Sequence, residues 1–442
     1  MQNVLPIDAV MAQVLAALAE AGQVVLQAPP GAGKTTRVPL AMLPVLKGRI
    51  LMLEPRRLAA RMAAGRMAET LGEQVGQTIG YRVRGESKIS KATRIEVVTE
   101  GILTRMIQSD PSLDGVGAVI FDEFHERSLN ADLGLALAME CRAALRDDLV
   151  LVVMSATLDA APVAALLGAP VVTSEGISFP VESHWLDRPL GRDKRFEKDM
   201  AALILRAVSE SNGSILAFLP GEGEIRRVAS TLGEMPLEVL PLYGALPFAA
   251  QQKAVRPGDG RRLILATAIA ETSLTLPDIR VVVDGGLARR ARFDPGSGMS
   301  RLVTERVSLA EANQRRGRAG RVVEGVCYRL WTKGEEGALA AFPPAEIETA
   351  DLSGLALELA EWGSADLPFL TAPPERALKE AQALLARLGA LERGQITEHG
   401  RALSRIPLHP RLAHMLAVAA LQHVQPQPKI GTGLAHGIAL CQ

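Results

Sequence analysis

Residues 27–36, QAPPGAGKTT, constrain this chain more than any other stretch. They follow the short apolar run 24–26, which predicts a strand, and they lead into residues 35–46, which predict a helix. A strand, a glycine-rich turn, Gly-Lys-Thr and a helix together form the arrangement that cradles the phosphates of a nucleoside triphosphate. The alternative is an ordinary glycine turn that joins a core strand to a helix.

The residue types in this turn suit the binding of phosphate. Gly31 and Gly33 can take backbone conformations that a Cβ would resist, so the N–H groups can turn inward. The helix that follows adds unpaired N–H groups and a positive dipole end. Lys34 can reach the β- and γ-phosphates, and the Thr35 hydroxyl can bind Mg²⁺. The predicted nucleotide-binding residues are Ala28, Pro29, Pro30, Gly31, Ala32, Gly33, Lys34, Thr35 and Thr36.

The composition bounds the other possibilities. A chain of 442 residues is long enough for two or three domains. Its formal net charge is zero, but residues 287–321 hold nine arginines against three acids. Cys141, Cys327 and Cys441 are too far apart for a metal-type spacing, which suits a reducing compartment. Since no signal peptide or long apolar run is apparent, we expect a cytoplasmic protein without a membrane partner.

The order of apolar runs predicts an α/β fold. Short apolar strands alternate with helical segments through residues 1–175, which indicates a parallel sheet covered on both faces. A linker is expected near 174–189, and residues 176–342 repeat the alternation without a second Gly-Lys-Thr. Residues 343–409 carry periodic helices and one small hairpin, which is typical of a winged-helix module. Ligands of parallel sheets bind beyond the carboxyl ends of the strands.

Two acids follow the predicted strand that ends at Phe121. A carboxylate at a strand end beside a phosphate loop can give Mg²⁺ a second oxygen anchor, so Asp122 fits the metal role. Glu123 can activate the attacking water and is also a candidate metal ligand. A solvated turn is the alternative for an Asp-Glu pair taken alone. His125 is either a polar residue at a helix start or a sensor of the second domain, since Mg²⁺ prefers oxygen ligands.

Four arginines lie within residues 314–321, QRRGRAGR. A solvated basic helix face is one explanation, but Gly317 and Gly320 would each cost such a helix about 1 kcal/mol relative to alanine. Arg318 and Arg321 are three residues apart and can point at one anion. Arginine side chains that reach across a cleft stabilise charge on a transferred phosphoryl group, and we expect this role here.

The motif set resembles that of the DEAH-box helicases of superfamily two. The matching motifs, as they stand here, are APPGAGKTT, LEPRRLAARMAAGRMAE (53–69), VTEGILTRM (98–106), DEFHERSLNAD (122–132), SATL (155–158), FLPGEGEI (218–225), LYGALP (242–247), TAIAETSLTLP (267–277) and QRRGRAGR. The tetrad Asp-Glu-Phe-His looks most like that of the bacterial HrpB-type branch. The resemblance covers residues 10–420.

The resemblance implies two tandem RecA-like domains, then a winged-helix region and, in 410–442, the start of a truncated helical ratchet region. It implies ATP or another nucleoside triphosphate, and Mg²⁺, as cofactors. Gln314, Arg318 and Arg321 would close on the nucleotide from the second domain. Arg66 would stack on the base. Relatives carry an aromatic residue at the position of Val255, so base selectivity would be weak.

The same resemblance implies a nucleic-acid path across both domains. The segment 288–306 would form a hairpin that helps to separate strands. The residues that would bind the strand are Arg56, Arg57, Thr99, Glu100, Gly101, Ser155, Thr157, Thr272 and Ser273. A surface salt bridge for Arg57 and a helix N-cap for Thr99 are the competing explanations.

We therefore expect an ATP-driven translocase or helicase on RNA, with DNA as the alternative substrate and no protein partner indicated. A second hypothesis is a strand-stimulated or strand-clamping NTPase that does not unwind, because family members continue into further C-terminal domains. A third, a P-loop kinase of small molecules, would not need a second sheet domain with an arginine motif. Strand-stimulated ATPase activity separates the first two hypotheses from the third, and duplex displacement separates the first from the second.

Overall fold

The computed structural model describes residues 4–156, 160–176, 179–191, 196–258, 260–271, 274, 276–294 and 296–421. The chain divides into two compact units. The larger comprises residues 1–349 and 368–371, and it contains both predicted sheet domains. The smaller comprises residues 350–367 and the described residues from 372 onward.

The first sheet has eight strands in the order β4-β3-β5-β2-β6-β7-β1-β8. Its strands are β1 (Gln23–Gln27), β2 (Arg49–Leu53), β3 (Ile79–Val83), β4 (Glu86–Lys88), β5 (Ile95–Val98), β6 (Val116–Phe121), β7 (Val150–Ser155) and β8 (Val171–Thr173). All pairings are parallel except that of β4 with β3. The central strands are buried along almost their whole length because helices cover both faces, as continuous apolar runs predict.

Among the described residues, the α-helices of this first domain are α1 (Met11–Ala21), α2 (Lys34–Met42), α3 (Arg57–Leu71), α4 (Glu100–Ser109), α5 (Leu129–Ala144) and α6 (Ala160–Leu167). Helix α2 ends at Met42, four residues before the predicted end. Pro44 lies just beyond this end, and it has no backbone N–H with which to continue the helical hydrogen bonds.

The second sheet has six parallel strands in the order β11-β12-β10-β13-β16-β9. The strands of this domain, including a separate antiparallel hairpin of β14 and β15, are β9 (Val181–His184), β10 (Ser214–Phe218), β11 (Glu238–Leu242), β12 (Arg262–Ala266), β13 (Ile279–Asp284), β14 (Leu287–Asp294), β15 (Met299–Arg306) and β16 (Gly325–Arg329). The predicted linker 174–189 is wrong in part, because it contains β9. That strand is a half-exposed edge strand with few apolar residues, so its sequence carries a weak signal.

The helices that follow in this part of the chain are α7 (Phe196–Glu210), α8 (Glu222–Leu232), α9 (Phe248–Val255), α10 (Leu309–Gly317), α11 (Lys333–Glu336) and α12 (Glu346–Thr349). The two sheet domains touch through apolar and aromatic side chains. Leu58 on α3 is buried in a cluster with Phe218 and Val255 of the second domain. The guanidinium of Arg61 lies 4.9 Å from the ring centre of Phe248.

The smaller unit consists of helices and one short hairpin, as its sequence predicts. Its elements are α13 (Ser353–Trp362), α14 (Glu375–Arg387), β17 (Leu391–Glu392), β18 (Gln395–Ile396), α15 (Glu398–Ser404) and α16 (Pro410–Leu421). His409, at the start of α16, bonds Asp351 and Ser353 at the start of α13, each at 3.0 Å. No helix among the described residues is long and apolar enough to span a membrane.

The register of the first sheet determines which loops meet. Strands β2, β6, β7 and β1 are neighbours, and Leu53 pairs with Phe121 while Gln27 pairs with Ser155. The residues after these strands therefore lie along one carboxyl edge.

Candidate active site

The phosphate loop connects β1 to α2 at this carboxyl edge. It comprises Ala28, Pro29, Pro30, Gly31, Ala32 and Gly33, and α2 opens with Lys34, Thr35 and Thr36. Gly31 and Gly33 have φ angles of 88° and 95°, in the left-handed region that disfavours a Cβ. A Cβ at Gly33 would also lie 2.6 Å from Leu5 Cδ1, so the Leu5 side chain would have to move. The loop thus fits a phosphate cradle at a helix N-terminus.

Lys34 is buried against the acids that follow β6. Its Nζ donates to Glu123 Oε1 at 3.0 Å and lies 3.9 Å from Asp122 Oδ1. Burial alone would lower the pKa of Lys34, but the charges of Glu123 and Asp122 outweigh it and raise the pKa. The side chain is therefore a cation held at the mouth of the cradle.

Thr35 and Asp122 together present oxygen ligands. The Thr35 hydroxyl donates to Asp122 Oδ2 at 2.5 Å, and the Glu123 N–H donates to Asp122 Oδ1 at 2.8 Å. Among the described residues no cluster of three or more His, Cys, Asp or Glu forms a closed metal site. One hydroxyl and one carboxylate beside a phosphate cradle fit Mg²⁺, which keeps several waters and takes few protein ligands.

Glu123 occupies a strained position with one oxygen available. Its φ of 51° is left-handed, which is uncommon for a residue with a Cβ. Burial would raise the pKa of Glu123, but the charge and hydrogen bond of Lys34 outweigh burial and lower it to about 2. Oε2 is buried, accepts no hydrogen bond from any described residue and lies 3.4 Å from His125 Nε2. This anionic oxygen can accept a hydrogen bond from a water molecule.

Glu54 is a third carboxyl group in this site, and the sequence reasoning missed it. It follows β2 directly and is fully buried. Burial, followed by the charges of Asp122 and Glu123, raises its pKa well above the usual value. The available signal was its position, since it is the polar residue directly after a buried strand of the same edge.

His125 links the first domain to the second. Its Nε2 lies 2.8 Å from Gln314 Nε2, and the backbone N–H of Ala156 donates to its Nδ1 at 3.3 Å. Burial lowers the pKa of His125, which favours the neutral ring. Because Nδ1 accepts, the neutral ring carries its proton on Nε2, and the amide oxygen of Gln314 is the matching acceptor.

The arginines of 314–321 are not a solvated face. Arg315 is buried and pairs with Glu271 and with Asp284, so it stabilises the second domain itself. Helix α10 ends at Gly317, and a Cβ at Gly320 would lie 2.5 Å from Phe179 O. Gly320 therefore allows close packing just after the helix.

Arg318 and Arg321 follow this helix end. Arg318 is buried and donates to the carbonyl oxygens of Glu271, at 2.9 Å, and Leu274. Arg321 Nη1 donates to Leu274 O at 3.2 Å. Burial lowers the pKa of Arg318 well below its usual value and that of Arg321 to about 10, and the charge of Glu123 opposes both shifts. Both guanidinium groups are thus anchored to backbone carbonyls of the second domain.

Comparisons with known proteins agree with this geometry. The DEAD/DEAH box helicase family matches residues 8–166, and the helicase conserved C-terminal domain matches residues 198–323. The chain belongs to the DEAD/DEAH box helicase family. The fold predicted from the family resemblance, two tandem RecA-like domains and a helical C-terminal region, is confirmed.

Several family members are similar over nearly the whole chain. It is 50% identical to the ATP-dependent RNA helicase HrpB of Escherichia coli over 94% of its length and 52% of the relative's. It is 37% identical to the HrpA homolog of Haemophilus influenzae over 94% of its length and 33% of the relative's. The crystal structure of Escherichia coli DEAH/RHA helicase HrpB matches with a TM-score of 0.89 and 47% identity, over 96% of this chain and 57% of that one. The chain thus spans about half the length of HrpB.

The predicted base contact of this family member is one-sided. Arg66 lies on α3, is exposed and pairs with Glu69 at 2.6 Å. Val255, at the end of α9, is buried in the core of the second domain. No aromatic side chain therefore faces the base from position 255, and stacking on Arg66 stays a prediction.

The predicted strand-binding residues of the first domain differ in their surroundings. Arg56 donates to Ala268 O of the second domain at 2.7 Å and pairs with Glu126 at 3.2 Å. Arg57 is exposed and makes no ion pair with any described residue. Thr99 is the N-cap of α4 but makes no side-chain capping bond, so the capping explanation does not account for its hydroxyl.

The other predicted strand contacts lie at the carboxyl edge or outside the described residues. Glu100 and Gly101 open α4, and Ser155 ends β7. Thr157, Thr272 and Ser273 lie outside the described residues. A cavity of about 700 Å³ is lined by Arg56, His125 and Gln314 and by hairpin residues from Ala288 to Arg292. Of the predicted strand-binding residues that the structure describes, Arg56 lines this cavity, next to the His125–Gln314 contact.

Proposed function

We propose that this chain is the ATP-hydrolysing part of an ATP-dependent RNA helicase. Hydrolysis in the cleft between the two RecA-like domains would drive translocation along RNA or the unwinding of RNA, with DNA as the alternative strand. The observation that carries the proposal is the His125–Gln314 contact. It joins a domain that holds Lys34, Asp122 and Glu123 to a domain that holds Arg318 and Arg321.

The proposed division of work follows from where charge develops. The phosphate loop and Lys34 bind the nucleotide phosphates, while Thr35 and Asp122 hold Mg²⁺. ATP supplies the phosphoryl group that passes to water, and Mg²⁺ offsets its negative charge. Glu123 Oε2 orients the attacking water, and Arg318 and Arg321 stabilise the transition state from the second domain.

His125 and Gln314 support this chemistry because their contact couples the catalytic residues to closure of the cleft. Their bond forms only when the two domains approach, and His125 Nε2 is also 3.4 Å from the free oxygen of Glu123. The position of the second domain can thereby influence the residue that orients the water.

The RNA substrate is proposed because HrpB is an RNA helicase and because Arg56 and Arg57 lie among the predicted strand-binding residues of the first domain. Backbone contacts of this kind bind strands largely without sequence readout. The two described cysteines, Cys141 and Cys327, are free and buried, which is usual in the reducing cytoplasm where we place the protein.

ATP hydrolysis with and without single-stranded RNA tests the proposal. We expect turnover that RNA stimulates and that Lys34→Ala abolishes together with nucleotide affinity. Glu123→Gln should keep nucleotide binding and reduce turnover by about 10²- to 10⁴-fold. Equal nucleotide affinity for Lys34→Ala and the parent chain would contradict the phosphate-loop assignment. Displacement of a labelled RNA duplex separates a helicase from an NTPase that only clamps the strand.

A further inference from the structure

The turn that follows the catalytic acids contacts several separate parts of the chain. We call residues 126–129, between the 3₁₀ turn Phe124–Glu126 and helix α5, the junction turn. At its centre Arg127 has a φ of 48°, left-handed like Glu123 at the start of the 3₁₀ turn. Two such residues so close together indicate a backbone that its surroundings hold in place.

Ser128 connects the junction turn to the predicted strand loop. Its hydroxyl donates to Glu100 Oε1 at 2.5 Å and accepts from the Ala131 N–H at 3.1 Å. The second bond caps helix α5, whereas the first reaches the opening residue of α4. A capping role therefore explains only one of the two bonds of this hydroxyl.

Glu346, in the segment that follows the second domain, forms hydrogen bonds with the same turn. Its backbone N–H donates to Arg127 O at 3.1 Å, and its Oε2 accepts from the Leu129 N–H at 2.8 Å. The side chain is exposed, so burial does not explain why it lies there. Glu346 satisfies a free N–H at the start of α5 across a separation of 217 residues.

Arg127 completes the arrangement on the other side. Its guanidinium forms two bonds of 2.9 Å with the buried carboxylate of Asp132 and a third of 2.9 Å with the Thr371 hydroxyl. A planar guanidinium with three such bonds is fixed in orientation. The junction turn is thus held at both of its flanks.

We propose that Ser128 and Glu346 are positioning residues that transmit RNA contact at the Glu100 loop to the hydrolytic residues His125 and Glu123. The inference rests on the proposed function. His125 is three residues before Ser128, and the stiff backbone between them leaves few ways to absorb a displacement. A strand that moves Glu100 therefore moves Ser128, and with it the turn that carries His125.

Variants at Ser128 separate this role from helix capping. The assays are run at a pH above 8, at which Glu100 is ionised and can only accept a hydrogen bond. Ser128→Thr keeps both bonds, Ser128→Asp keeps an acceptor for the Ala131 N–H but cannot donate to Glu100, and Ser128→Ala loses both. We expect basal turnover to stay within about 2-fold of the parent, while RNA stimulation falls about 5-fold or more in Ser128→Asp and Ser128→Ala. Ser128→Thr should behave like the parent. If Ser128→Asp restored full stimulation, Ser128 would be a cap only and the proposal would be overturned.

Glu346 offers a second matched pair. Glu346→Gln keeps an oxygen acceptor for the Leu129 N–H, whereas Glu346→Ala removes it. Stimulation should survive in the former and fall in the latter, with the thermal unfolding temperature as a check on folding. Equal basal and stimulated losses in both would indicate a structural role and overturn the proposal.

A binding measurement distinguishes failure of this inference from failure of the proposed function. We would measure RNA affinity with and without a non-hydrolysable ATP analogue, because coupling between two ligands is reciprocal. If the parent chain binds both ligands but does not hydrolyse ATP, the proposed function fails. The ratio of the two RNA affinities, compared between the parent and Ser128→Asp, still supports the inference if it drops and overturns it if it does not.

Discussion

The two sheet domains share an architecture but begin their first central helix differently. In the first domain, β1 leads through the glycine loop to Lys34 and Thr35 at the start of α2. In the second, β10 leads to Gly221 and then to Glu222 and Glu224 in the first turn of α8. Acids at a helix N-terminus already complement its dipole and would repel phosphate. We therefore expect the same strand–turn–helix unit to bind an anion in one domain and not in the other.

The second domain instead supplies cations from the end of another helix. Arg318 and Arg321 follow α10, where Gly320 allows the chain to pack closely against Phe179. Each domain thus holds part of one site, and neither part is chemically complete. We therefore expect hydrolysis to require contact between the two domains.

The largest expected effect comes from removing a second-domain cation. Arg321→Ala should leave ATP affinity nearly unchanged and lower turnover by roughly 10³-fold or more, because arginine fingers act in the transition state. It should also abolish most of the stimulation by single strands. ATP affinity and steady-state turnover, each with and without RNA, check this.

The matched control is Arg280→Ala, an exposed arginine on β13 of the same domain. Its turnover should equal that of the parent. If Arg321→Ala retained turnover within a few-fold of the parent and was still stimulated by RNA, Arg321 would be an ordinary surface charge. The second domain would then not supply this cation to the site.

A smaller loss of turnover is expected when the side-chain contact between the two domains is removed. Gln314→Ala removes the partner of His125 and should reduce RNA-stimulated turnover by about 5- to 10-fold, the range of one hydrogen bond. A double-mutant cycle with His125→Ala checks the pairing, since the second substitution should add little to the first. Fully additive losses would show that the two side chains act separately.

The salt dependence of RNA binding should distinguish free from paired arginines. On single strands each phosphate contact contributes about −0.7 to the slope of log affinity against log salt. Arg57→Gln should reduce the slope by about that amount because Arg57 is exposed and pairs with no described acid. Arg292→Gln should change it less, since Arg292 already pairs with Glu305. The opposite order would place the strand on the hairpin rather than on the first domain.

A separate expectation concerns stability and its dependence on pH. Burial, followed by nearby acids, raises the pKa of Glu100 from 4.5 to about 8 against the opposing Ser128 bond. The stability this neutral carboxyl contributes is complete below pH 4.5 and is lost as the pH rises to about 8. Relative to the parent, Glu100→Gln should therefore gain free energy of unfolding by up to about 1.4 kcal/mol per pH unit across this window.

Denaturant unfolding at several pH values checks this expectation, with Glu375→Gln as the control. Glu375 lies on an exposed helix face beside Lys379, so the same substitution there removes a carboxyl group that is not buried. A flat difference for Glu100→Gln would mean that the carboxylate is ionised in the folded chain.

The sequence predicted those elements that carry a clear local pattern, either a continuous apolar run or a short motif. Continuous apolar runs predicted the buried central strands, and Gly-Lys-Thr and Asp-Glu marked two loops of one edge. The half-exposed strand β9 was not predicted, because an edge strand needs few apolar residues. Glu54 was not predicted as a site residue, because a single acid after a strand is not part of a recognisable motif. Its burial beside Asp122 nevertheless makes it part of the site.

By itself the sequence determined the two sheet domains, the phosphate loop and the residue types available for hydrolysis, because these follow from periodicity and from short fixed spacings. Only the tertiary structure decided which of those residues meet. The contact of His125 with Gln314 spans 189 residues, and that of Glu346 with the start of α5 spans 217. Such contacts depend on strand order and domain packing, which no local pattern encodes, and they are the ones through which the two halves of the site can act together.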